Sequence, residues 1–216
     1  MAVLRFSFGT MGSGKSTLAL QVHHNLEQSG QTGLLLARLG RDGSHVTSRL
    51  GISAPSLEVD PSVDLYELAA KFQAAKFREA KFQAHRGRLQ YIVCDEAQFF
   101  TIAQAEQLAR VVDELDVDVF AYGLITDFRG LLFAGTARLL ELADERVHLQ
   151  VEARCWCGAR ANNNARLANG SLVREGDVVA VGDTATHSDV PLFGDVVTYI
   201  LLCRKHFREG RVRSGS

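Results

Sequence analysis

At 216 residues the chain has room for one full domain and a small accessory lobe, not for two large domains. Its 24 Lys and Arg against 25 Asp and Glu give a formal net charge of −1, without the basic excess that nucleic-acid binding leaves in a composition. The first residues lead straight into a strand-like run and no apolar run is long enough to span a bilayer, so the expectation is a soluble cytoplasmic protein with neither nucleic acid nor membrane as a partner.

The chain opens on Val3-Leu4-Arg5-Phe6-Ser7-Phe8, a strand candidate, then Gly9-Thr10-Met11-Gly12-Ser13-Gly14-Lys15-Ser16-Thr17, then a helical stretch over 18–28. The middle stretch has the form G-x-x-x-x-G-K-[ST], in the strand-then-helix setting where that pattern cradles phosphates. Its glycines let the backbone curl so that N–H groups point at a di- or triphosphate, and the helix start adds its positive end. Lys15 is placed to reach the terminal phosphates of ATP and Ser16 to hold Mg²⁺. Gly9, Thr10, Met11, Gly12, Ser13, Gly14 and Thr17 complete the candidate nucleotide-binding set.

A turn at Gly30-Gln31-Thr32-Gly33 leads to a second buried-strand candidate over 34–39, and residues 40–61, rich in Gly, Ser, Asp and Pro, read as a long irregular connection. Ser62 or Asp64 is placed to cap a helix from Leu65 onward, in which Lys-Phe recurs as Lys71-Phe72, Lys76-Phe77 and Lys81-Phe82. At 3.6 residues per turn these phenylalanines step round the cylinder by about 140° and share no face. At least one should be exposed or meet a partner subunit, which makes the stretch either an interaction helix or a solvated one with no specific role.

Next comes a buried strand over 89–94 running into Asp95-Glu96-Ala97-Gln98-Phe99-Phe100. In a P-loop protein an apolar strand ending in Asp is expected beside the P-loop strand, with its carboxylate near Mg²⁺, so Asp95 is the metal candidate. Neighbouring residues at a strand end face different ways, which leaves Glu96 for a substrate hydroxyl. Cys94 reads as a small buried hydrophobe. A helix over 102–115, a strand over 117–124 and a helix over 136–143 follow. At that strand's end stand Thr126-Asp127-Phe128-Arg129-Gly130 and Phe133, where an open parallel sheet binds its ligands. These aromatics either sandwich a planar base or pack under the next helix. A strand over 146–151 closes the alternating portion near Ala153.

The remainder is short, turn-rich and strand-like, with runs at 166–167, 178–181 and 196–206. It carries Cys155-Trp156-Cys157 and, about fifty residues on, Cys203 with His206, four soft or imidazole ligands that together close a tetrahedral Zn²⁺ site. So small a lobe buries little core, so the metal would supply folding free energy directly. The whole reads as α/β: a P-loop NTPase-like, RecA-like, mostly parallel sheet flanked by helices over 1–153, a small zinc-binding lobe over 154–210, and a disordered tail over 211–216.

The order GTMGSGKST, CDEAQFF, YGLITDFRGLLF, a cysteine knuckle and TYILLCRKH resembles that of thymidine kinases of the zinc-containing P-loop type, through most of the chain. The resemblance implies phosphoryl transfer from ATP to the 5′-hydroxyl of thymidine, and of deoxyuridine. Glu96 would be the general base and Asp95 an organiser of Mg²⁺. Phe99, Phe128, Phe133 and Tyr199 would surround the nucleoside, with Gln98 from the same acidic segment on the substrate side, and Met11 and Leu124 would line the space for the thymine methyl. It further implies a lasso-like loop over about 166–199 closing on the base through backbone groups, a dimer or tetramer, and feedback inhibition by thymidine triphosphate. The chain departs from the family pattern in three places: Cys-x-Cys replaces Cys-x-x-Cys, Asn164 stands where a threonine is usual beside the base, and Arg41 precedes Asp42 where the family has Asp before Arg, so that only Arg41 carries over. The segment 182–197 is also longer than the analogy suggests. Two rival readings share Lys15, Ser16 and Asp95: another P-loop ATPase or small-molecule kinase, and a non-enzymatic nucleotide-binding zinc protein.

Overall fold

The computed structural model describes residues 1–38, 44–74, 88–178 and 197–213. Strands β1 (Leu4–Gly9), β2 (Gly33–Ala37), β5 (Leu57–Glu58), β6 (Tyr91–Asp95), β7 (Asp118–Leu124) and β8 (Glu145–His148) form one six-stranded sheet in the order β5-β2-β6-β7-β1-β8, parallel throughout. A parallel sheet needs both faces covered, and its strands are accordingly apolar on both sides. Leu34, Leu36, Ile92, Cys94, Val119 and Phe6 pack on one face, beneath α2 (Leu65–Gln73), α3 (Ile102–Leu115) and α4 (Ala134–Leu142). The alternate residues Leu35, Ala37, Val93 and Tyr122 pack on the other, beneath α1 (Lys15–Gln28), whose Ala19 and Leu20 they meet. Cys94 therefore sits in the core, where burial pushes its thiol up.

The helix starts are chemically marked. Asp64, rather than Ser62, caps α2 by accepting from the Glu67 N–H. Thr101 and Gln104 form a reciprocal capping box on α3, and α3 keeps the boundaries that its periodicity predicts. The Phe72 side chain of the first Lys-Phe unit is buried. The other two units, at 76–77 and 81–82, lie outside the described residues.

The sequence expectation fails in the connection after β2. Residues 44–61 are irregular only in part: β3 (His45–Thr47) and β4 (Ser53–Pro55) form an antiparallel hairpin, and β5 adds a parallel strand beside β2. These strands are two or three residues long, too short to leave a period-2 signature. A second difference is the strand order. Asp95 ends a strand that does not lie beside the P-loop strand, because β7 is inserted between β6 and β1. Chain order alone does not specify which strands are neighbours in space.

The C-terminal lobe is a separate three-stranded antiparallel sheet, β10-β9-β11, from β9 (Asn163–Ala168), β10 (Ser171–Leu172) and β11 (Val197–Leu202), followed by α5 (Arg204–Glu209). The strand expected to run on to 206 stops at Leu202, and Cys203 starts the short helix that carries His206. Of the run expected at 178–181, only Val178 is described. Among the described residues no helix is long and apolar enough to cross a membrane.

Candidate active site

The P-loop joins β1 to α1. Gly14 stands at the helix N-cap with φ 81, a left-handed conformation that glycine adopts without steric cost. The loop is closed from inside: the Lys15 Nζ donates to the Thr10 carbonyl at 2.8 Å and approaches the Ser13 Oγ at 3.5 Å. Burial pushes the Lys15 ammonium down, against the pull of Glu96 and Asp95. A buried cation held only by a carbonyl and a hydroxyl suits an anion arriving from outside.

Despite the intervening strand, the end of β6 reaches the P-loop. Burial, and then the charge of Glu96, push the Asp95 carboxyl up to about 7, against the pull of the nearby Ser16 hydroxyl and of Lys15. Among the described residues Asp95 Oδ1 is buried without a hydrogen-bond partner, and such a carboxylate oxygen near a hydroxyl fits a hard divalent cation such as Mg²⁺. Glu96 leaves the strand with φ 53 and opens the short turn Ala97–Phe99. That reversal parts the two acids. Asp95 is buried toward the P-loop, while the Glu96 carboxylate accepts from the Gln98 Nε2 at 2.6 Å. The Gln98 Oε1 in turn accepts from the Leu124 N–H at 2.9 Å.

Beyond these acids lie the aromatic residues. Phe99 and Phe133 meet edge to face with centroids 5.5 Å apart. Phe128 is buried, with the Arg166 guanidinium 3.8 Å above its ring. Arg166 Nε donates to the Tyr199 hydroxyl at 2.6 Å, and its terminal nitrogens donate to the carbonyls of Asp177 and Val178. The sequence shows Arg166 only in a strand-like run at 166–167 and gives no sign that it meets the aromatic residues. The lobe touches the P-loop directly: the Met11 N–H donates to the Asn164 Oδ1 at 2.8 Å, while among the described residues the buried Asn164 Nδ2 has no hydrogen-bond partner. Leu124 is buried at the end of β7. Arg129 turns back to pair with Asp127 at 2.6 Å. Arg41, Asp42 and residues 179–196 of the expected lasso lie outside the described residues.

The four expected zinc ligands converge. Cys155, Cys157, Cys203 and His206 present ligand atoms all within 4.8 Å of one another. The Cys155 Sγ lies 3.3 Å and the Cys203 Sγ 3.5 Å from the His206 Nδ1, and the Cys157 Sγ lies 4.0 Å from that of Cys203. Tetrahedral bonds of about 2.0–2.3 Å imply ligand–ligand edges of about 3.3–3.8 Å, so the donor set fits Zn²⁺ and the Cys-x-Cys spacing serves as well as the commoner one. Burial pushes the Cys155 thiol up, but hydrogen bonds from the Cys157 and Cys203 backbones and from His206 outweigh it and bring it down to about 6, toward the thiolate that binds metal. Trp156, between the two cysteines, stacks on His206 at 4.1 Å.

A thymidine kinase family model matches residues 2–207. A thymidine kinase of Streptomyces coelicolor is 46% identical over 210 residues, covering 97% of this chain and 90% of that protein. One from Cutibacterium acnes is 44% identical over 212 residues, covering 97% and 90%, and one from Ruegeria pomeroyi is 40% identical over 212 residues, covering 97% and 95%. With a P-loop, an acidic pair beside it and a Cys₃His cluster in place, the chain belongs to the thymidine kinase family.

Proposed function

We propose that the protein transfers the γ-phosphoryl group of ATP to the 5′-hydroxyl of thymidine, and of deoxyuridine, giving the 5′-monophosphate. The observation that carries this reading is the meeting of Lys15, Ser16 and Asp95 at the P-loop with Glu96 one residue beyond, in a chain of this family. Lys15 and the loop amides hold the β- and γ-phosphates. Ser16 and the free oxygen of Asp95 hold Mg²⁺, which when bound neutralises charge on the phosphates. Glu96 accepts the proton of the 5′-hydroxyl. Met11, Phe99, Leu124, Phe128, Phe133, Asn164 and Tyr199 border the nucleoside side, while Gln98, its amide engaged by Leu124 and Glu96, stands behind Glu96. Residues 1–153 act as the nucleotide-binding domain and 154–210 as a zinc-stabilised lobe covering the nucleoside, with 211–216 as a tail. Assembly into a dimer or tetramer and inhibition by thymidine triphosphate complete the proposal.

The test is a nucleoside panel with labelled ATP, run beside Glu96→Gln. Thymidine and deoxyuridine should be phosphorylated, and the variant should bind ATP normally while turning over about 10²–10⁴-fold more slowly, the range for a lost general base. ADP release that ignores the nucleoside would point instead to a plain ATPase, and near-normal turnover by the variant would remove Glu96 from the chemistry.

A further inference from the structure

Gln98 is a buried polar side chain, 2% exposed, whose amide is engaged at both ends inside the protein. Its Oε1 accepts from the Leu124 N–H at 2.9 Å, and its Nε2 donates to the Glu96 Oε2 at 2.6 Å. A backbone N–H only donates, so it fixes which way the amide faces: oxygen to Leu124, nitrogen to Glu96. The anchor is rigid. Leu124 ends β7, and its carbonyl accepts from the Thr136 Oγ1 at 2.7 Å, so side chains hold both of its backbone groups. Gly123 leaves the room, since a Cβ there would lie 3.0 Å from the Gln98 Oε1. The target, in contrast, stands on a left-handed residue at a strand end, φ 53, with a side chain free to rotate unless something holds it.

We propose that Gln98 is the positioning residue for Glu96: tied to the end of β7, it holds one carboxylate oxygen and leaves the other for the acceptor hydroxyl. This rests on the reading of Glu96 as general base. Gln98 then acts through Glu96 and lowers the barrier without contributing to nucleoside affinity, because a base held in place serves the transition state more than the ground state.

Two substitutions separate the ends of the amide. Gln98→Met removes both hydrogen bonds at nearly constant volume. Gln98→Glu keeps an acceptor for Leu124 and replaces the donor to Glu96 with a like charge. Both should lower kcat by about 10- to 100-fold, the scale of a misplaced catalytic group, with KM for thymidine and for ATP within about two-fold of wild type, as expected when a transition-state interaction alone is lost. Placed on Glu96→Gln, neither should lower kcat further, the signature of two residues working as one unit. Zinc content and melting temperature monitor folding, and if the Met variant fails to fold the Glu variant carries the test. A raised KM with kcat intact would make Gln98 a substrate contact and overturn the proposal. Equal losses of kcat in both backgrounds would overturn it while leaving Glu96 as the base. Normal turnover by Glu96→Gln alone would remove the base reading and this proposal together.

Discussion

The sheet domain and the cysteine lobe meet at the Met11–Asn164 hydrogen bond, yet they hold themselves together by different means. The sheet buries apolar side chains on both faces beneath its helices. The buried centre of the lobe is Cys155, Ala165, Leu202, Cys203 and Phe207, two of which belong to the Cys₃His cluster. Apolar burial stabilises in proportion to area, so a bound metal would add most to a core this small and least to the sheet. On the function proposed above, the nucleoside side would then rest on the part with the smaller core.

Stripping zinc is the strongest way to break this comparison. Structural zinc is worth about 10–16 kcal/mol in isolated zinc-finger peptides near neutral pH, as much as or more than a cluster of five buried side chains supplies at about 1.5–3 kcal/mol each. Chelation, or Cys203→Ser, should abolish hydrogen-exchange protection across β9 and β11 while β1, β6 and β7 stay protected, and nucleoside turnover should be lost. Protection of the lobe without metal would place its stability in its packing.

Phe6→Ala probes the other side. Phe6 is fully buried in the sheet core, and truncating such a phenylalanine costs about 3–5 kcal/mol. Urea unfolding should show that loss in the sheet domain while zinc content stays at one ion per chain. Release of zinc along with the sheet transition would mean that the two parts fold as one.

What the sequence disclosed follows the same division. The P-loop was legible because it carries a motif in its strand-then-helix setting, and the convergence of Cys155, Cys157, Cys203 and His206 because such residues at such spacings are rare. The β3–β4 hairpin was not legible: its strands are short and half exposed, and their pairing is read only from the fold. Nor was α5, where six residues are too few for a helical period and the helix starts at a cysteine of the Cys₃His cluster instead of a capping side chain. The insertion of β7 between β6 and β1 leaves no mark in the sequence at all. The link from Gln98 to Glu96 escaped for another reason: side chains two residues apart diverge in a helix and in a strand share a face about 6.6 Å apart, and the left-handed turn at Glu96 brings these two together.

A smaller effect should come from pH. The Asp95 carboxyl is held above the usual carboxylate range, at about 7, chiefly by burial. Over that window the folded chain binds more protons than the unfolded one, so unfolding free energy falls as pH rises from the ordinary carboxylate range through about 7. The melting temperature of the nucleotide-free protein should decline along that span, and Mg²⁺ with ATP, by binding the ionised carboxylate, should flatten the slope. A decline that persists in Asp95→Asn would assign it to other groups.

The smallest predicted effect sharpens the contrast most directly, because it compares how each part begins a helix. In the sheet domain the Thr101 side chain accepts from the Gln104 N–H at 3.1 Å and the Gln104 side chain accepts from the Thr101 N–H at 3.0 Å, so two otherwise unpaired donors are satisfied locally. In the lobe, α5 begins at Cys203, whose side chain makes no capping hydrogen bond and belongs to the metal cluster. Thr101→Ala should therefore cost about 0.5–2 kcal/mol, the worth of an N-cap, and Thr101→Ser almost nothing, because serine keeps the accepting oxygen. The cost should be the same in zinc-loaded and zinc-stripped protein when read from the sheet transition. A cost that depends on zinc would show the metal stabilising α3 across the contact between Met11 and Asn164, and the two parts would then share one stability.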